Sequence, residues 1–403
     1  MSRFGATLLV ALLAMAEAAP AQQAGMQDVA PALQPPVAAY RAGDRAAAET
    51  AFRGLAPGNA DAQAWLGAVL LDRGADREAL RLIQQAAGAG SPEGEHRLAL
   101  VYALGLAGVP RDDAKAAALF EKAAAAGHTR AQINLGILYL AGRGVPRDVV
   151  LARSWLEKAA LSNDPQALYT LGRAMSDASE QAGPDPVRAA DLYRRAAEKG
   201  HVLAGLRYGL ALSEGFGVKA DPAAAQRWLT QAQERGVPEA ALALGDLAAR
   251  TPASRDKAAN EKVVKAAISW YEIAASGGVP SAQFKLANAY FAGVGVTRDP
   301  AQAQAWYTRA AQQGQPQAQY AVGIMLLGGV AGAKDPVEGY KWLILAERNG
   351  HPDAKSVREK SAEQLSDAER RRAEELAQRF TSTLERPLDD AAANGPARPS
   401  ASR

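Results

Sequence analysis

The stretch "LAGRGVPRD", residues 140–148, sets two glycines either side of an arginine and follows them with a valine, a proline and an acid. Read alone, Gly142-Arg143-Gly144 has the form of a loop that cradles a phosphate on backbone N–H groups. Such a loop is needed once, after a strand and before a helix. This one recurs: "SEGFGVKAD" at 213–221 and "FAGVGVTRD" at 291–299 repeat its form, and "GLAGVPRD" at 105–112 and "LGGVAGAKD" at 327–335 are looser copies. Self-similarity at a fixed period marks an array of supersecondary units, so these glycines are read as turns between helices.

Aligning on a small-x-x-x-apolar-small pattern gives copies starting at Ala62, Gly94, Ala131, Ala167, Ala204, Ala240, Ala282 and Ala318. In the copy from Ala131, Leu135, Leu138 and Tyr139 recur at helical spacing before the glycine turn ends the first helix. An acid opens the second helix: Asp148, or Asp-Pro at Asp185-Pro186, Asp221-Pro222, Asp299-Pro300 and Asp335-Pro336. The carboxylate caps free N–H groups, and proline at the first helical position loses no hydrogen bond. The second helix carries an aromatic and a small residue, as at Trp155 and Ala159 or Trp306 and Ala310, and a glycine such as Gly127, Gly200 or Gly350 closes the copy. Each copy is a helical hairpin that cannot bury its face alone, so the hairpins must stack.

"AQINLGILYLAGRGVPRDVVLARSWLEKAALSNDPQ" and "AQFKLANAYFAGVGVTRDPAQAQAWYTRAAQQGQPQ" resemble the Sel1-like repeat, a relative of the tetratricopeptide repeat, in its A-x-x-x-L-G-x-x-Y, G-x-G-V, D, A-x-x-W and K-A-A positions. The resemblance implies an all-α fold, a right-handed α-solenoid of about eight helix-turn-helix repeats over residues 62–353. Residues 22–61 are expected to be an N-terminal linker and a degenerate half-repeat, 354–385 a C-terminal capping helix with Ser366 and Glu369 spaced as a capping box, and 386–403 a disordered tail. The family is specific for fold. Its members include adaptors, signalling regulators and assembly factors.

Composition agrees with an array. The 403-residue chain is 48% hydrophobic but only 6% aromatic, with no alternating β-branched run that would propose a sheet. A formal charge of +3 leaves no basic domain, so no nucleic-acid partner is expected. The chain has no cysteine, which removes disulfides, thiolate zinc sites and cysteine nucleophiles. At the N-terminus, Arg3, an apolar run from Ala6 to Ala16, and Ala19 and Ala21 spaced for a signal peptidase predict a signal peptide over 1–21, and with it a periplasmic or secreted protein. The run is too short to span about 30 Å of hydrocarbon at 1.5 Å per residue, so no stable membrane insertion is expected after cleavage.

Four histidines raise the question of a metal. His128, His201 and His351 each follow the closing glycine of a hairpin, so they take one turn position in three hairpins and cannot converge on one ion; no metal or other cofactor is expected. His96 lies on a first helix and is read as partner-facing or half-buried. "SRDK", Ser254 to Lys257, has the Ser-x-x-Lys spacing of penicillin-recognising serine enzymes, and some cysteine-rich members of the Sel1-like family have been regarded as β-lactamases. No Lys-Thr-Gly or Ser-Asp-Asn element accompanies it, and a serine before a helix is also a cap, so the chain is read as no enzyme. Around it, "ARTPASRDKAANEKVVKAAISWYEIAASGG" is irregular, either a binding-face loop or a longer second helix. Arg111, Arg147, Lys219, Arg298 and Lys334 recur just before second helices, where positive charge is slightly unfavourable. They fit an acidic polysaccharide, or simply a solvated turn, which is preferred.

By analogy with tetratricopeptide arrays, the third and seventh positions of the first helices tend toward the concave side. Tyr169, Phe284 and Tyr320 fall at the third, and Arg173, Asp246 and Asn288 at the seventh, where a hydrophilic residue has no packing reason to exist. The expected function is an exported non-catalytic scaffold or adaptor binding a peptide or protein partner in the solenoid groove. The alternatives are a periplasmic regulator of envelope signalling or exopolysaccharide production, and a β-lactamase-like or cell-wall hydrolase.

Overall fold

The computed structural model describes residues 29–177, 182–252 and 254–382; the expected signal peptide and the tail from 386 lie outside them. Every regular element among the described residues is helical. The chain divides into two compact units at Asp221 and Pro222.

In the N-terminal unit a short 3-10 turn, Pro31–Leu33, leads into α1 (Gln34–Arg41) and α2 (Arg45–Leu55). Hairpins follow in order: α3 (Ala60–Asp72) with α4 (Asp76–Gly88), α5 (Pro92–Leu104) with α6 (Asp113–Ala125), α7 (Thr129–Ala141) with α8 (Val149–Ala160), and α9 (Pro165–Ser176) with α10 (Pro186–Glu198). The unit ends with α11 (Val202–Glu214), the first helix of the next hairpin. The segment expected as a linker is structured from Val29 onward. Leu33 and Val37 are buried with Phe52, whose ring stacks on Trp65 at 6.0 Å. The Tyr40 hydroxyl donates to Asp72 at 3.1 Å.

The C-terminal unit opens with α12 (Pro222–Glu234) and continues with α13 (Pro238–Ala249), α14 (Lys257–Ser276), α15 (Pro280–Ala292), α16 (Pro300–Gln312), α17 (Pro316–Gly328) and α18 (Pro336–Arg348). The irregular segment is thus the longer second helix, 20 residues in α14. The expected single capping helix is two, α19 (Ala354–Ala362) and α20 (Asp367–Arg379), because Ser366 and Glu369 form a capping box that starts a new helix. Phe380 then closes the core edge-on against Trp342 at 5.3 Å.

Local chemistry explains the hairpins. Asp148, Asp185 and Asp335 each accept the backbone N–H three residues on, and Asp299 accepts two, at about 3 Å. The small residue of each first helix lies against its partner helix: a Cβ on Gly136 would come within 2.7 Å of Leu156, and one on Gly323 within 2.9 Å of Leu343. The residue filling that space follows the tryptophan; it is not the tryptophan itself. The glycine turn does more than reverse the chain. Gly144 and Gly217 have φ of +68° and +73°, and a Cβ there would sit 2.0 Å from the Asp113 carbonyl oxygen and 1.9 Å from that of Pro186. In these two turns the second glycine therefore seats the turn on the second helix of the preceding hairpin, which no side chain would allow.

Candidate functional site

Histidines stand at three of the junctions between successive units. His201, the N-cap of α11, accepts the Ala204 N–H on Nδ1 at 3.1 Å. A neutral ring that accepts on Nδ1 carries its proton on Nε2, which faces Gln166 Oε1 of α9 at 3.0 Å. Its ring stacks on Tyr169 at 4.3 Å. His128 repeats the pattern at the start of α7: it caps Ala131, faces Glu93 of α5 at 3.0 Å, and stacks on His96 at 4.6 Å. His351 stacks on Tyr320 at 4.1 Å. His128 and His201 thus each tie one first helix to the next, and His351 packs on first helix α17 at the junction with capping helix α19.

His96, expected half-buried or facing a partner, is fully buried beneath that stack. It reaches Asn134 Nδ2 at 3.3 Å, and burial first, then the neighbouring His128, push its pKa well below the usual imidazole range. Burial alone would raise the Glu93 carboxyl, but Arg97, 2.6 Å away, and the hydrogen bond from His128 outweigh it and hold the group well below the usual carboxylate range. Glu93, His96 and His128 bring three ligand-type atoms within 4.8 Å of one another. The arrangement does not suit an ion. The two rings are 26° from parallel, so their in-plane lone pairs do not converge, and ligation through Nε2 of His128 would move its proton to Nδ1 and break the cap on α7.

Tyr169 and Arg173 lie one turn apart on α9. Tyr169 is buried under His201, and the half-buried Arg173 guanidinium is 6.0 Å from the Tyr169 ring. Arg173 lines a cleft of about 280 Å³ between α9 and α11, together with Ser176, Tyr193, Arg207, Leu210 and the half-exposed Phe216. Tyr193 is placed by Gly172, where a Cβ would come within 2.8 Å of its ring, and its hydroxyl is 3.0 Å from Ser176 Oγ. Burial raises its pKa.

In the C-terminal unit the other four candidates fall on α13, α15 and α17. Asp246 accepts from the Tyr271 hydroxyl at 2.8 Å and pairs with Lys285 of α15 at 3.0 Å. Asn288, exposed one turn beyond Lys285, accepts from the Tyr307 hydroxyl. Phe284 packs 5.6 Å from Tyr307. The structure therefore brings Asp246 and Asn288 to one face through Lys285, and Tyr320 stands on the next first helix under His351. These polar residues do have a packing reason: each answers the hydroxyl of a tyrosine that fills the space beside the small residue. Burial raises Tyr271, with Asp246 adding to it, and burial lifts Tyr307 to about 12, so both hydroxyls remain donors. Sequence reading missed Tyr193, Tyr271 and Tyr307; Tyr271 and Tyr307 were signalled only by following a tryptophan, and Tyr193 by nothing comparable.

Three of the five basic turn residues, Arg111, Arg147 and Arg298, are committed within the chain. Arg147 and Arg298 donate to the Leu140 and Phe291 carbonyls at 3.1 Å, and Arg111 pairs with Asp113. Arg147 and Arg298 thus serve the C-terminal ends of first helices, where positive charge is favourable, whereas Arg111 is neutralised by an acid at the start of second helix α6. Ser254 and Lys257 are both exposed, and Ser254 Oγ accepts the Asp256 N–H at 3.1 Å in a local turn.

The sequence model of the Sel1 repeat matches residues 60–91, 92–128, 129–164, 165–201, 204–237, 261–279, 280–315 and 316–351. The short match at 261–279 begins within the long helix α14 and ends just past it. A Sel1 repeat protein from Oxalobacter formigenes is 30% identical, with 78% of this chain and 89% of that one covered and a TM-score of 0.60. A protective antigen of uropathogenic Escherichia coli displaying an SLR fold is 24% identical over 86% of this chain and 89% of its own, with a TM-score of 0.45. A search among curated proteins gives no match. Sel1 repeat proteins generally act as protein–protein interaction scaffolds. Matched along most of its length by the repeat whose hairpins the structure displays, the chain belongs to the Sel1 repeat family.

Proposed function

We propose that the chain is an exported, non-catalytic scaffold that holds a protein or peptide partner against the exposed side of its first helices. The observation that carries this reading is the support given to Asp246 and Asn288. Buried tyrosines hold both side chains from behind, Asn288 is exposed to solvent and Asp246 keeps part of its surface there, a pre-organised polar face that costs little ordering on binding. Tyr169 and Arg173 supply a second contact in the N-terminal unit, and Phe284 and Tyr320 flank the first. Export rests on the N-terminal residues, and a regulator of the envelope would differ only in its partner. The exposed, turn-bonded Ser254 argues against a hydrolase.

A photo-cross-linking amino acid placed at Arg173 or Asn288 of the exported chain should give a discrete adduct. The same group at Glu157, exposed on second helix α8, should not. No adduct at either first-helix position, or equal yields at Glu157, would overturn the reading.

A further inference from the structure

We propose that His201 is an acid-sensitive pivot between α9 and α11, and that protonating its ring loosens the cleft holding Tyr169 and Arg173. The reading rests on the proposed scaffold function only for its consequence on binding; the joint itself stands on geometry.

Both ring nitrogens are in use. Nδ1 accepts the Ala204 N–H and so cannot carry a proton while α11 is capped, and Nε2–H donates to Gln166. An imidazolium has two donors and no acceptor, so the cap on α11 must open. Stacking transmits the change: His201 lies on Tyr169, Tyr169 is 6.0 Å from both Tyr193 and the Arg173 guanidinium, and these side chains with α11 form the cleft. The groups packed on the ring are Tyr169 and Gln166 from α9, with Tyr193 of α10 behind; no charged side chain of α9, α10 or α11 acts on it. Burial is the cause that lowers its pKa, from the ordinary 6.5 to about 4, although part of the residue's edge stays at the surface. The joint at His128 differs in its partner: the carboxylate of Glu93 faces its Nε2 where the amide of Gln166 faces that of His201.

Linkage sets the sign. Between pH 6.5 and about 4 the opened joint binds a proton that the closed joint does not, so opening is favoured as pH falls through that window. Lowering the pH from 7.5 to 5 should raise the opening equilibrium about 30-fold.

The test uses the full chain and a His201→Asn variant, since asparagine caps a helix without titrating in this range. Amide hydrogen exchange at Ala204, corrected for intrinsic rates, should lose protection about 30-fold from pH 7.5 to 5 in the wild type and stay level in the variant. Equal behaviour of the two, or an NMR titration of the His201 ring at the ordinary 6.5, would overturn the proposal. These readouts need no partner. A cross-link from Arg173 should then weaken at pH 5 in the wild type and persist in H201N. Persistence in both would break the link from joint to cleft, whereas no cross-link at any pH would count against the scaffold reading and leave the joint standing.

Discussion

Replacing Gly217 by alanine separates two accounts of the glycine turns. If the turn only reverses the chain, Gly215 and Gly217 are equivalent: φ is +71° at one and +73° at the other, and a left-handed alanine costs about 1 to 2 kcal/mol at either. The structure makes them unequal. At Gly215 a Cβ would meet Ala220 Cβ at 3.4 Å, an ordinary contact, whereas at Gly217 it would lie 1.9 Å from the Pro186 carbonyl oxygen and 2.3 Å from its carbon. Both opposing atoms are backbone in the first turn of α10, so relief requires one hairpin to move off the next. Overpacking of this kind adds about 1 to 3 kcal/mol, for a total of about 2 to 5 kcal/mol at Gly217 against about 1 to 2 at Gly215. Stability in an array is approximately a sum of unit and interface terms, so the larger loss belongs to the interface. Urea unfolding of the two variants, followed by circular dichroism at 222 nm, reads the order directly. A G217A midpoint equal to or above that of G215A would refute the inter-hairpin role of the second glycine.

Leu156→Ala removes the fully buried side chain opposite Gly136 and should cost about 2 to 5 kcal/mol in the same unfolding assay. Tyr307→Phe takes away the hydroxyl that supports Asn288; the loss of stability should be about 1 kcal/mol, and partner capture by the chain with Asn288 intact should fall with it. Ser254→Ala should change stability by no more than about 0.5 kcal/mol and leave partner capture intact, because the exposed hydroxyl bonds the nearby Asp256 N–H and the contacts with Asn260 use the Ser254 backbone, which alanine keeps. Nitrocefin turnover by the purified chain that vanishes in S254A would reverse that reading.

Much of this molecule is written in residues that are neighbours along the chain. Asp299-Pro300 starts a helix because a carboxylate and a ring without an N–H solve the problem of free donors within three residues, and Ala131, Leu135 and Leu138 share a face by helical spacing alone. The hairpins, their number and their family were therefore legible. The roles of single polar residues were not, because they depend on what lies across a helix contact. Arg147 precedes a second helix in sequence but bonds the end of the first, Asp246 answers a tyrosine 25 residues away, and His201 spans 35 residues to Gln166. Gly144 and Gly217 look like their partners Gly142 and Gly215 until the stacked hairpin brings a backbone carbonyl against them. Local spacing determines where helices begin and end, since their caps and hydrogen bonds close within one turn. Which donor meets which acceptor between hairpins is decided only when packing sets the distance between them.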